Sequence, residues 1–274
     1  MPNPEMPVLR IVPTDVLVLH EDADPRRVER LTRRMRDDGV IKNPPIVTPL
    51  SEGRYVVLDG ANRVSGLWAL GAPHAIVQVV NYERVELDTW YHLITHMRRD
   101  SLFDAIRRVA GVRLTETTLA DARQALDARA ISAFIVCPGG DTYSIANGST
   151  LADEARILVD ISNIYRGAAN IQRVRIADMA ALTHMYDEVA ALLVYPSFTR
   201  GDILALAESE AKVPTGITRH VIPGRALRLN LPLSLLESSE SAEEKNVWLV
   251  QWEHERLAAR AVRYYAESTY LFDE

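Results

Sequence analysis

The stretch YVVLDGANRVSGLWALG, residues 55–71, decides the fold reading: an apolar strand, an Asp-Gly turn, then an amphipathic helix. Val56, Val57 and Leu58 make a buried-strand pattern, while Val64, Leu67, Trp68 and Leu70 recur at helical spacing and give the helix one apolar face. Asp59, Gly60, Asn62 and Arg63 are thereby left at the helix N-terminus. Unpaired backbone N–H groups and the positive end of the helix dipole favour an anion there. Gly60 permits close approach and Arg63 adds a cation, so the chemistry suggested is phosphate binding. A plain Asp-Gly cap has the same spacing, and the stretch alone does not separate the two.

Working outward, residues 9–12 and 16–19 read as extended segments after a proline-rich arm over residues 1–7, and His20-Glu21-Asp22 follows them. Asp24-Pro25 opens a helix that Gly39 closes, with Val28, Leu31 and Met35 on its apolar side. Its other face carries Arg26, Arg27, Arg30, Arg33, Arg34 and Arg36, interleaved with Glu29 and Asp37; a solvated face is favoured over a phosphate surface. Strands are expected at 46–48 and 75–81, with a turn near Glu52-Gly53, so the first 82 or so residues alternate strands and helices in an α/β unit. No glycine- or serine-rich linker follows. Helices are expected near 100–110, 118–129, 151–165, 178–189, 200–208 and 242–257. Strands are expected at 131–137, 142–146, 173–176, 192–195, 226–229 and 270–272.

The chain has 274 residues, of which 47% are hydrophobic and 25% charged, enough for a sizeable core in one large or two modest domains. A net charge of −6 argues against a general nucleic-acid binder and puts small-molecule partners ahead. One cysteine, Cys137, excludes an internal disulfide framework and any multi-cysteine zinc site, which fits a reducing cytoplasm. The opening MPNPEMPVLR lacks the basic start and apolar run of a signal peptide, and no apolar run is long enough to span a bilayer.

The familiar nucleotide signatures G-x-x-x-x-G-K-[ST] and G-x-G-x-x-G are missing, as are the protein-kinase H-R-D and D-F-G sets and the G-x-S-x-G elbow. His92 and His96, four apart in WYHLITHM, would share one helical face and start a zinc site, but the Glu of H-E-x-x-H is absent and no third ligand is near. Cys137, at the end of an apolar strand, reads as packing. VPTGITRHVIPGR, residues 213–225, gathers Thr218, Arg219 and His220 between glycines and prolines; a ligand-capturing turn and a surface loop are both consistent with it. Trp90 fits a core anchor or a pocket wall equally.

Taken together, LHEDADPRRVERLTRRMRDDGVIKNPPIV and VVLDGANRVSGLWALG make the first part of the chain resemble the ParB/sulfiredoxin fold. The D-G-x-x-R loop has no Cys beside it, unlike sulfiredoxins, and neither the Gly-Glu-Arg-Arg loop nor the helix-turn-helix domain of partition proteins follows. The chain is more similar to the free L-serine kinase family, through LHE, RYVVLDGANR, the DTW of residues 88–90, VPTGITRHVIPGRALRLNLPLSLL and the ending VRYYAESTYLFDE. The resemblance implies an α/β (α+β) protein with a ParB/sulfiredoxin-like nucleotide-binding domain over residues 1–84, packed on a mixed α/β substrate-binding domain over residues 85–274. It implies phosphoryl transfer from ATP or ADP to the hydroxyl of L-serine, giving O-phospho-L-serine, with Mg²⁺. Carried over residue by residue, Glu21 is the implied general base. Asp59 is the loop aspartate that orients Mg²⁺ or the reacting groups, and Gly60, Asn62 and Arg63 hold phosphate oxygens. Trp90, Thr218, Arg219 and His220 match serine-binding positions. The family commonly carries His where this chain has Asn62, which can hydrogen-bond a phosphate but cannot carry a proton. Two rivals are a nucleotide-sensing regulator acting through DNA or a protein partner without turnover, and a kinase of a related hydroxy amino acid such as threonine or homoserine.

Overall fold

The computed structural model describes residues 6–146 and 148–265. The expected strand at 270–272 and most of the N-terminal arm lie outside them. By its internal contacts the chain divides into two units: one holds the described residues up to Leu17, Pro25–Val85 and those from Ile222 onward, the other Val18–Asp24 and Glu86–Val221.

The first unit is built on strands β1 (Val8–Pro13), β2 (Leu17–Leu19), in which the chain passes out of this unit, and, after helix α1 (Pro25–Asp38), β3 (Val40–Ile41), β4 (Ile46–Pro49) and β5 (Tyr55–Asp59). Helix α2 (Ala61–Leu70) and β6 (His74–Val79) follow. The sheet order is β1-β6-β4-β5-β2; β1–β6 and β4–β5 pair antiparallel and β4–β6 parallel. Val56, Val57, Leu58, Val64 and Leu67 are buried, so the apolar pattern of the opening stretch faces the core, whereas Trp68 stays 41% exposed and donates its indole N–H to the Thr14 carbonyl. The arginines of α1 lie on its exposed face, with Arg33 paired to Glu29.

The second unit adds β7 (Glu86–Thr89), β8 (Tyr91–Thr95), α3 (Arg99–Arg107), β9 (Leu114–Thr117), α4 (Leu119–Asp127), β10 (Ile131–Val136) and β11 (Thr142–Ala146). It continues with α5 (Leu151–Tyr165), β12 (Asn170–Val174), α6 (Met179–Met185), β13 (Val189–Val194), α7 (Arg200–Glu208) and β14 (Thr218–Val221). Six strands form an antiparallel sheet in the order β12-β8-β13-β10-β11-β9, and β14 pairs with β7 in a separate ladder. Its core gathers Leu93, Phe134, Val136, Leu182, Leu192 and Val194.

The chain then returns to the first unit through β15 (Leu231–Pro232), paired with β3, and helices α8 (Leu233–Glu237) and α9 (Ala242–Ala258). Asn246 of α9 brackets β1: its Oδ1 accepts from the Ile11 N–H at 2.9 Å and its Nδ2 donates to the Ile11 carbonyl at 2.7 Å. Beside it, Lys245 is 1% exposed and donates to the carbonyls of Ser238 (2.8 Å) and Leu236 (3.3 Å) and to His74 Nδ1 (3.0 Å). Removing one buried donor leaves several acceptors without a partner. Lys245→Met is therefore expected to cost about 2–3 kcal/mol, read as a lower urea midpoint at unchanged slope; an unchanged midpoint would refute the role.

The mixed α/β architecture is as the sequence implies. Three local readings are corrected. His92 and His96 do not share a helical face: His92 lies in β8 and His96 just past it, with φ of 58°. Among the described residues no group of three or more His, Cys, Asp or Glu could hold a metal ion. Residues 226–229 form no strand, while Thr218–Val221, read as a turn, does. No helix among the described residues is long and apolar enough to cross a membrane.

Candidate active site

The residues singled out from sequence fall into two groups, one in each unit. In the first, β5 delivers Asp59 and α2 begins two residues later. Gly60 stands at the N-cap with φ of 97°, the left-handed region that suits glycine, and it supplies no side-chain cap. A Cβ there would lie 2.9 Å from the Arg63 guanidinium and 3.1 Å from the Pro45 Cα, so the turn admits only glycine without displacement. Arg63 Nη2 donates to Asp59 Oδ2 at 2.7 Å, and Arg225 Nη1 donates to the same oxygen at 2.7 Å. Burial acts to raise the Asp59 carboxyl, but the two guanidinium groups outweigh it and hold it below the usual carboxylate range. Asn62 is half-buried in the first turn of α2.

In the second group, Glu21 is anchored on both its backbone and its side chain. The segment around it pairs with Val213: Val213 N–H donates to the His20 carbonyl at 3.0 Å, and Asp22 N–H to the Val213 carbonyl at 2.9 Å. Glu21 Oε2 accepts the Gly216 N–H at 3.0 Å. Gly216 has φ of 75°, and the Arg173 guanidinium occupies the space a Cβ would need. Thr218 and His220 are buried, and His20 Nε2 lies 3.1 Å from the Thr218 hydroxyl, with the two imidazoles edge to face.

The β14–β7 register sets Arg219 opposite Asp88. Arg219 Nη1 donates to Asp88 Oδ2 at 3.2 Å, Arg175 Nε approaches the same oxygen at 2.9 Å, and the Arg219 guanidinium lies 4.9 Å from the centroid of the Trp90 ring. The backbone N–H of Trp90 donates to the Ile217 carbonyl at 2.8 Å. Burial raises the Asp88 carboxyl, but the Thr89 N–H, Arg219 and Arg175 together bring it below its ordinary value. A planar guanidinium has five donors in a fixed fork. The Asp88 bond and the Trp90 ring together fix the orientation of the Arg219 guanidinium.

Behind Gly216 lies a polar cluster without a signal in the sequence. His92, 3% exposed, has Nδ1 2.9 Å from the Tyr165 hydroxyl and 3.1 Å from the Tyr195 hydroxyl, and both tyrosines are buried. Burial first, then the Arg173 charge, push the imidazole down to about 3, against a smaller opposing pull from the Gly216 backbone. Cys137 is likewise buried, and burial raises its thiol, in keeping with a packing role.

The fit of Mg²⁺ rests on Asp59. Both arginine contacts fall on Oδ2, and Mg²⁺ commonly binds through one or two carboxylates completed by substrate phosphates and water. A single aspartate at a helix N-terminus fits an ion that arrives with a nucleotide.

The architecture is that of the free serine kinases. A solved free serine kinase in complex with AMP matches at a TM-score of 0.74 and 18% identity, over 85% of this chain and 95% of that one. The chain is similar to the ATP-dependent L-serine kinase SbnI of Staphylococcus aureus, 27% identical over 267 residues that cover 97% of each chain. It is also similar to the ADP-dependent L-serine kinase SerK of Thermococcus kodakarensis, 22% identical over 250 residues, 86% of this chain and 98% of that one. No family model matches the chain.

Proposed function

We propose that the protein is a cytoplasmic free L-serine kinase that transfers a phosphoryl group from ATP or ADP to the serine hydroxyl, with O-phospho-L-serine as product. The observation that carries the reading is the Glu21–Gly216 bond. A carboxylate is held by a backbone N–H on the turn that leads into Thr218, Arg219 and His220. The near full-length similarity to proteins named L-serine kinases, using ATP in one case and ADP in the other, supports it.

In this reading Arg219 clamps the carboxylate of serine, Trp90 backs the clamp, and Thr218 and His220 add directional hydrogen bonds. Glu21 accepts the hydroxyl proton as the oxygen attacks phosphorus and the bond to the nucleotide leaving oxygen breaks. The backbone at Gly60, the Asn62 amide and Arg63 hold phosphate oxygens and stabilise the charge spread over the transferring group. Asp59 would hold Mg²⁺, which supplies further charge neutralisation on the phosphates. Nucleotide binding is proposed for the first unit, which holds most of residues 1–84, and serine binding for the second, which holds most of the remainder up to Val221.

The test is incubation of the protein with L-serine, Mg²⁺ and either ATP or ADP, with mass detection of phosphoserine. Product with one donor identifies that donor, and product from threonine or homoserine in preference to serine would reassign the acceptor. No phosphorylated amino acid with either donor would sink the kinase reading.

A further inference from the structure

Arg225 carries none of the roles given above, yet its guanidinium lies 2.7 Å from Asp59 Oδ2. The peptide on either side of it is gripped by Gln78 of β6, whose side chain is buried. Gln78 Nε2 donates to the Gly224 carbonyl at 3.0 Å, and Gln78 Oε1 accepts the Ala226 N–H at 2.9 Å. The sheet, through this two-bond grip, aims the Arg225 guanidinium at Asp59 Oδ2, which already receives Arg63. Two guanidinium groups thus share one carboxylate oxygen, leaving a net positive charge beside the N-terminus of α2. A phosphate offers each of them its own pair of oxygens, the geometry a guanidinium fork prefers.

We propose that Arg225 is a second phosphate-binding cation for the nucleotide, and that Asp59 holds both arginines at the station until the anion arrives. This rests on the kinase reading of the Asp59–Arg63 loop. Asp59 acts as a competitor for Arg225 in the absence of ligand, so removing its charge frees the fork, whereas removing the fork itself weakens anion capture.

The test is calorimetric titration of the full chain with inorganic pyrophosphate, without Mg²⁺, after thermal melts confirm that each variant folds. Arg225→Ala is expected to weaken binding by about 10- to 100-fold, Arg225→Lys by less, and Gln78→Ala to fall between them. Asp59→Asn is expected to bind pyrophosphate at least as tightly as wild type. Unchanged affinity in Arg225→Ala, a loss in Asp59→Asn equal to that in Arg225→Ala, or no pyrophosphate binding by wild type would each overturn the proposal. Pyrophosphate binding through Arg225 in a protein that makes no phosphoserine would refute the kinase reading and leave the station standing.

Discussion

Glu21→Gln is expected to lower turnover by about 10²–10⁴-fold while nucleotide affinity stays nearly unchanged. The prediction is sharp because the substitution preserves geometry: an amide oxygen accepts the Gly216 N–H as the carboxylate oxygen does. The backbone pairing of His20 and Asp22 with Val213 involves no side chain and persists. The basicity and the negative charge of the carboxylate are removed. Single-turnover measurement of phosphoserine formation, beside calorimetric nucleotide binding, separates the two effects. Activity that survives Glu21→Gln would mean that another group takes the serine proton.

The second large effect concerns pH. His92 titrates at about 3 in the folded protein, against an ordinary value near 6.5. Between these values the unfolded chain binds a proton that the folded chain refuses, so the stability contributed by a neutral His92 is complete above about pH 6.5 and is lost as pH falls toward 3. The difference corresponds to about 4–5 kcal/mol over that window, a large part of the stability of an ordinary domain. Urea unfolding at several pH values, followed for wild type and His92→Gln, reads it directly. The wild-type curve should fall more steeply below pH 6 than the variant's, by up to about 1.4 kcal/mol per pH unit. Parallel curves would show that His92 is not the group that refuses the proton.

The fold of the first unit was legible where local signals agreed. In residues 55–71 the strand pattern, the Asp-Gly turn and the helical period all point one way, and β5, Gly60 and α2 stand where they predict. Residues 91–95 were harder, because His92 and His96 match a helical spacing. The run Tyr91, Leu93, Ile94, Thr95 between and around them is rich in aromatic and β-branched residues, and pairing with β12 and β13 decides for the strand. At 226–229 alternation mimics a strand. There the Ala226, Arg228 and Leu229 N–H groups go instead to Gln78 Oε1, Asn43 Oδ1 and the Lys42 carbonyl, so no ladder forms.

For the candidate site, motif resemblance named Glu21, Asp59 and Arg219, but not what holds them. Gly216, Asp88 and Arg225 are partners across long sequence separations, set by the β14–β7 register and the Gln78 grip. Period and spacing carry no record of such pairings.

The return of the chain to the first unit at Ile222 has a consequence for the order in which the molecule can be made. Synthesis runs from the N-terminus, so Glu86–Val221 has emerged and can fold while the first unit still lacks Arg225, β15, α8 and α9. Until then β1 lacks Asn246, His74 lacks Lys245, and Asp59 has a single arginine. Completion of the Arg63–Asp59–Arg225 cluster is thereby tied to a pairing across 166 residues of sequence. This is a slow, high-contact-order step that comes after Glu86–Val221 has emerged.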